Sequence, residues 1–257
     1  VGWGAIGRTV ARIIQDAPVE IVAVGIQDPG AHRTDLPDGA ALISDPSELA
    51  GIGADLVAEA ASRDSVGPWG RAALKMGADF LVSSVSALAD PNLLESLRCL
   101  AVENCTQLQI HPGALGGIDA LSAARSMGLD AVEHTIVKPP GAWLGTPAET
   151  MCRLHDLTEP TSFYTASAAD TAALFPKNAN VAMTTALAGI GPTQTKITLA
   201  ADPSAVTNRH EIRAVGWFGK LEVSLSNNPL PDNPKSSAMT ALNLARSITN
   251  RTAAIVM

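Results

Sequence analysis

The sequence predicts an α/β fold in two parts: a parallel-sheet domain, then an α+β domain with a mainly antiparallel sheet. Three observations carry that expectation. Strand and helix patterns alternate over residues 1–120, which implies βαβ units. Beyond that point, strand patterns are joined by short turns such as Phe218-Gly219, which favour antiparallel pairing. Small aliphatic residues dominate a chain that is 46% hydrophobic and only 4% aromatic, as suits a sheet sandwiched between helices. At 257 residues the chain can bury one large core or two small ones.

Taken in order, Ala5 to Ala17 reads as a helix with Val10, Ile13 and Ile14 on one face. Val19 to Val24 is a buried strand, and Pro29-Gly30 a turn. Ser44-Asp45-Pro46 starts a helix with Pro46 at its first position. Ala54 to Ala58 is a short strand, and the next helix runs to about Met76, where Gly77 stops it. Phe80 to Val82 is a strand, Asp90-Pro91 opens a helix, and Leu108 to Ile110 is the last strand before Gly113. In the second part, Val132–Val137, Ser162–Thr165, Lys196–Ala200, Glu211–Trp217 and Leu221–Leu225 are strands. Thr146-Pro147-Ala148-Glu149 is a capping box, Ser167 to Asp170 a similar start, and Asn180 to Ala188 an Ala-rich helix. The final helix, Ser236 to Asn250, is long enough to return to the first domain. The expected boundaries are therefore 1–120 with 235–257 for the first domain, and 121–234 for the second.

The net charge of -7 leaves no basic stripe for nucleic acid or an anionic membrane. No apolar run approaches the ~20 residues needed to cross a bilayer, and no segment reads as a signal peptide. The three cysteines, Cys99, Cys105 and Cys152, have no metal spacing and read as reduced thiols in a cytoplasmic protein. No histidine pair has metal-ligand spacing either, so no metal is expected.

Gly2-Trp3-Gly4-Ala5-Ile6-Gly7 is a full G-x-G-x-x-G opening a helix, with a second strand at the expected distance. This is the Rossmann dinucleotide fingerprint: tight turn, close approach to a pyrophosphate, close helix–strand contact. Gly2, Gly4, Ala5, Ile6 and Gly7 are the cofactor contacts it implies, for NAD or NADP. The chain opens at Val1 without Met or the apolar run that usually precedes such a fingerprint, so the start of the first strand is expected upstream. At the ribose-binding position stands Gly25 rather than a carboxylate; Asp28 is slightly late, and His32 and Arg33 follow. Coenzyme choice stays open.

Alternation along Asn208 to Ala214 puts Arg209, Glu211 and Arg213 on one face and His210 with Ile212 and Ala214 on the other. An inward imidazole is either a satisfied core histidine or an acid/base, and spacing alone favours the first. His134 sits similarly beside Val132 and Ile136, with Lys138 next on that face, and reads as structural or pocket-lining. His111 adjoins Gly113, at the sheet edge where a nicotinamide would lie; His32 and His155 are loop residues. The Gly113-Ala114-Leu115-Gly116-Gly117 turn offers backbone N–H groups, and Phe175 to Asn180 brings two amides and a Lys to a helix start. Asn233-Pro234-Lys235-Ser236-Ser237 puts a cation and hydroxyls at the start of the last helix, which suits a carboxylate, although Ser236 could be only an N-cap.

Six separated segments together resemble the L-aspartate dehydrogenase family: GWGAIG near the start, PGALGGIDAL at 112–121, KPPGAW at 138–143, FPKNANVA at 175–182, ADPSAVTNRHEI at 201–212 and NPKSS at 233–237. The resemblance implies a homodimer that oxidises L-aspartate to iminoaspartate with NAD or NADP, the imine then giving oxaloacetate and ammonia or feeding NAD biosynthesis. It implies His210 as the catalytic histidine and Ala114 and Asn180 as cofactor contacts. Lys138, or Lys235 with Ser236 and Ser237, are the expected partners of the substrate carboxylates. Pro112, where Ser is more familiar, and Gly25 depart from the family pattern. Two alternatives stand beside it: an NADPH-dependent imine reductase resembling dihydrodipicolinate reductase, whose paired histidines are lacking at Glu133-His134-Thr135, and a non-catalytic NAD(P)-binding sensor.

Overall fold

A computed structural model describes residues 1–28, 30 and 35–256, the side chain of Lys177 excepted. The chain packs as two compact units, Val1–Gly113 with Thr240–Met257, and Ala114–Met239.

In the first unit, α1 (Ala5–Ile13) follows the glycine turn and stops four residues short of expectation at Ala17. Ile14 leaves helical geometry, and Pro18 would have no N–H to give a continuing helix. Strand β1 (Ala23–Gly25) pairs in parallel with β2 (Ala41–Ile43), a strand the sequence reading did not contain. Most of the predicted strand from Val19 runs outside this ladder. Pro29, His32 and Arg33 lie outside the described residues. After a 3-10 turn at Pro46–Gly51, capped by Asp45 and Glu48, come β3 (Leu56–Glu59), α2 (Arg63–Lys75), β4 (Asp79–Val82), α3 (Pro91–Glu103) and β5 (Leu108–Ile110). Strands β3, β4 and β5 form a parallel sheet. The backbone of Val1 and Gly2 links the two parallel groups: Ala60 N–H donates to Val1 O at 2.8 Å, and Gly2 N–H donates to Gly25 O at 2.7 Å. The whole is a Rossmann-like parallel layer. Gly25 has a packing reason: a Cβ there would lie 2.7 Å from the Trp69 ring.

The second unit opens with α4 (Ile118–Ala124) and β6 (Leu129–Lys138). There follow α5 (Ala148–Met151), β7 (Thr161–Ser167), α6 (Ala168–Leu174), α7 (Ala179–Ala188), β8 (Lys196–Ala201), β9 (Asn208–Gly216) and β10 (Gly219–Asn227). The five-stranded sheet has the order β10-β9-β6-β8-β7, antiparallel throughout except for the parallel β6–β8 pair. A two-residue turn, Trp217-Phe218, joins β9 to β10. One sheet face is apolar: Val132 and Ile136 of β6, Ile197 and Leu199 of β8, and Ile212 and Ala214 of β9 are all buried. The other face carries charges, among them Lys196–Glu133 at 3.1 Å and Arg209–Glu211 at 2.7 Å. Such exposed pairs contribute little to stability.

A small hairpin, β11 (Pro229–Leu230) with β12 (Asn233–Ser237), precedes α8 (Ala238–Thr249). Lys235, Ser236 and Ser237 lie in a strand, not at the start of a helix begun by Ser236. The turning point is Ser237, whose hydroxyl accepts from Met239 N–H at 3.2 Å. Asn233 Nδ2 donates to Ser236 Oγ at 3.0 Å, which pulls that hydroxyl back to the hairpin.

Candidate functional site

The glycine turn fits a dinucleotide. Gly2 has φ +89, and a Cβ on it would sit 2.6 Å from Ala60 O. A Cβ on Gly7 would come within 2.5 Å of Gly2 O, so helix and turn meet there backbone to backbone. Gly4, at the α1 N-cap, is the opposite: a Cβ would meet nothing within 4 Å. The open space therefore lies just where the unpaired N–H groups at the helix start need an anion, and no acidic residue in the first turn compensates them. Ala5 and Ile6 supply that first turn.

At the end of β5, Gly113 N–H donates to His111 Nδ1 at 3.0 Å. A neutral His111 then carries its proton on Nε2, a buried atom with no partner among the described residues. Burial pushes its pKa down to about 4. Asn243 Nδ2 holds Gly113 O at 2.8 Å. In the second unit, the buried Asn227 donates to Ala114 O at 2.8 Å, fixing the first residue of the GALGG turn.

The apolar face of the five-stranded sheet holds three titratable groups. Register pairs His210 of β9 with Ile136 of β6, so His134, Lys138 and His210 share one face. His134 Nε2 lies 3.2 Å from His210 Nδ1, and His134 Nδ1 lies 2.9 Å from Thr185 Oγ1 of α7. Both imidazoles are buried. Burial, and then the charge of Lys138, pushes His210 down to about 4; burial, and then His210, pushes His134 well below its usual value. Both rings are thus neutral at physiological pH. Lys138 donates to Asn178 Oδ1, and its Nζ sits 5.1 Å from the centre of the Trp143 ring. Burial lowers its pKa to about 8, which leaves it mostly charged at neutral pH but readily discharged.

The structure thus brings Lys138 and His210 together and adds His134. It puts Lys235, Ser236 and Ser237 on a separate hairpin, with Lys235 exposed. Asn180 stands exposed in the first turn of α7. Sequence reasoning misses two contributors: Thr185, which shows only as a hydroxyl in an Ala-rich helix, and Asn227, which carries no signal at all. Asn178 is one of the two amides the sequence brings to a helix start, and the structure gives it Lys138 as its partner. A cavity of about 490 Å³ in the first unit is bounded by Val10, Ile14, Val57 and Leu244, and among the described residues no histidine lines it, so volume alone does not mark this chemistry.

Residues 119–251 match the family described as aspartate dehydrogenase, C-terminal, and residues 2–110 match the homoserine dehydrogenase NAD binding domain. The chain is 52% identical to an L-aspartate dehydrogenase of Brucella anthropi, over 100% of this chain and 97% of that one. It is 40% identical to the L-aspartate dehydrogenase of Pseudomonas aeruginosa, over 99% and 97%. Among solved structures, aspartate dehydrogenase from Thermotoga maritima superimposes with a TM-score of 0.79 at 25% identity, covering 100% of this chain and 96% of that one. A hyperthermophilic archaeal homoserine dehydrogenase in complex with NADPH, at 15% identity and TM-score 0.62 over 98% and 95%, shares the fold.

Proposed function

The chain belongs to the L-aspartate dehydrogenase family, and from that premise we propose that His210 is its acid–base group and Lys138 its principal substrate carboxylate partner. It is an NAD(P)-dependent oxidoreductase acting on L-aspartate. When bound, the dinucleotide supplies the redox chemistry by accepting a hydride from the substrate α-carbon. The residues that would hold it are Gly2, Gly4, Ala5, Ile6 and Gly7 at the α1 N-terminus, with Ala114 and Asn180 as further contacts. His111 Nε2 is a buried donor available to the same ligand.

The observation that carries the assignment is the closed sheet face on which a neutral His210 and a charged Lys138 are neighbours. A weakly basic imidazole is a poor match for an ammonium group and a better one for water attacking an electrophilic imine. Water oxygen bonds to the imine carbon while its proton passes to His210. With the imine protonated, the carbon–nitrogen π pair moves to nitrogen and His210 returns the proton there, giving a carbinolamine whose nitrogen is an ammonium. The carbon–nitrogen bond then breaks with its pair on the departing ammonia, the oxygen lone pair forms the carbonyl, and the hydroxyl proton passes to His210, leaving oxaloacetate. The two carboxylates of the substrate favour the transient imidazolium. Lys138 holds one of them by a charge-assisted hydrogen bond, and Lys235 with Ser236 and Ser237 is the candidate for the other.

A homodimer in the cytoplasm belongs to the same reading, supported by the family resemblance and by three free cysteines. Among the described residues, no helix is long and apolar enough to cross a membrane. The test is aspartate-dependent reduction of NAD and of NADP across a panel of amino acids. Selective reduction with aspartate supports the reading, whereas cofactor binding without turnover of any amino acid removes it.

A further inference from the structure

We infer that Thr185 and His134 are positioning residues that hold His210 in one tautomer, with its proton on Nδ1 and its Nε2 lone pair left to accept a proton. The inference rests on His210 being the acid–base group, and it concerns which of its nitrogens does the work.

The argument is one of donors and acceptors along a buried chain. Thr185 Oγ1 lies 3.1 Å from Val181 O, one helical turn back, and 2.9 Å from His134 Nδ1. A carbonyl oxygen can only accept, so the Thr185 hydroxyl proton points to Val181. The contact to His134 is then a hydrogen bond only if His134 Nδ1 carries a proton and donates to Thr185 Oγ1. A neutral imidazole has one N–H, so His134 Nε2 bears a lone pair. At 3.2 Å it can only accept, and the donor must be Nδ1–H of His210. His210 is in turn neutral, so its Nε2 is unprotonated. Among the described residues Nε2 makes no hydrogen bond.

No other distribution of protons over neutral rings makes all three contacts hydrogen bonds. Burial keeps the rings neutral, because an imidazolium in this apolar layer would lose its hydration. Thr185 is fully buried on α7, a helix on which Ala182, Met183 and Ala186 are fully buried too. A hydroxyl so placed is not there for solubility. The device resembles in logic the carboxylate that orients a catalytic imidazole elsewhere, with a neutral imidazole and a threonine in place of a charge.

The experiment is long-range proton–nitrogen correlation NMR on the full chain with nitrogen-labelled histidine, which separates the two tautomers of a neutral ring. The five histidines are few enough to assign by single substitutions. His134 and His210 are both expected as Nδ1–H. Thr185→Val keeps the shape but removes the acceptor. It is expected to shift His210 toward Nε2–H and to lower kcat roughly 10- to 100-fold with little change in aspartate KM. Thr185→Ser is expected to restore both. A wild-type His210 protonated on Nε2 overturns the inference, and so does a Thr185→Val protein with unchanged tautomer and kcat. Should Thr185→Val not fold, the wild-type spectrum decides alone. An active His210→Ala enzyme beside an Nδ1–H spectrum removes the proposed function and leaves the tautomer assignment standing; an inactive one beside an Nε2–H spectrum does the reverse.

Discussion

His134 Nε2 lies 3.2 Å from His210 Nδ1, two imidazoles joined across neighbouring strands and 76 residues apart in sequence. Neither ring has a carboxylate partner in that contact, and both stay neutral because the surrounding layer is apolar. The pairing sets consequences for stability as well as for catalysis.

Buried neutral histidines make the fold acid-sensitive. His210 and His111 have folded pKa values of about 4, and His134 is lowered too, against about 6.5 in an unfolded chain. Between those values the unfolded chain binds more protons, so stability rises with pH. The contribution is complete above the unfolded value and is lost as pH falls through the folded one. Urea unfolding should show a loss of up to roughly 3 kcal/mol for each of His111 and His210 between neutral pH and about pH 4. His111→Gln should flatten that slope by about one proton. An unchanged slope in the variant would count against a neutral buried His111.

Lys138 should set a second pH limit. Its pKa of about 8 means the ammonium is present below that pH and lost above it. Aspartate KM is expected to climb as pH rises through 8. Lys138→Met should raise KM by roughly 10- to 100-fold at neutral pH, the usual worth of a hydrogen bond to a charged group, and abolish the climb. Steady-state kinetics over pH checks both. A normal KM in the variant would move the carboxylate partner elsewhere.

Two glycines of the fingerprint should fail differently. A side chain at Gly4 meets open space, so Gly4→Val should leave thermal stability unchanged while weakening NAD binding by about tenfold or more. At Gly7 the new atoms meet the Gly2 carbonyl, so Gly7→Ala should also lower Tm, at a cost of about 1–3 kcal/mol. Calorimetry beside cofactor titration separates them. Equal loss of Tm in both variants would mean that Gly4 is structural.

The fingerprint and the inward side of His210 were legible because each depends on local spacing. Strand β5 was read at its observed bounds, Leu108 to Ile110, for the same reason. What was not legible depends on pairing at a distance. Strand β2 is three residues long after a stretch rich in Gly, Pro and Asp, and only its partner β1 makes it a strand. Asn233 to Ser237 holds Asn, Pro, Lys and two Ser, residue types poorly suited to strands, so the sequence pattern predicts a helix start where the structure has a hairpin. The contact of His134 with His210 needs the register of β6 on β9, and Thr185 needs α7 laid over both. Periodicity cannot supply a register.

The most direct test of the account is the turnover of His210→Ala beside its affinity for NAD and NADP. The account predicts a fall in kcat of roughly 10²- to 10⁴-fold with aspartate, with coenzyme dissociation constants unchanged and the fold intact. Near-normal turnover with intact coenzyme binding would contradict it, and would return His210 to the role of a satisfied core histidine.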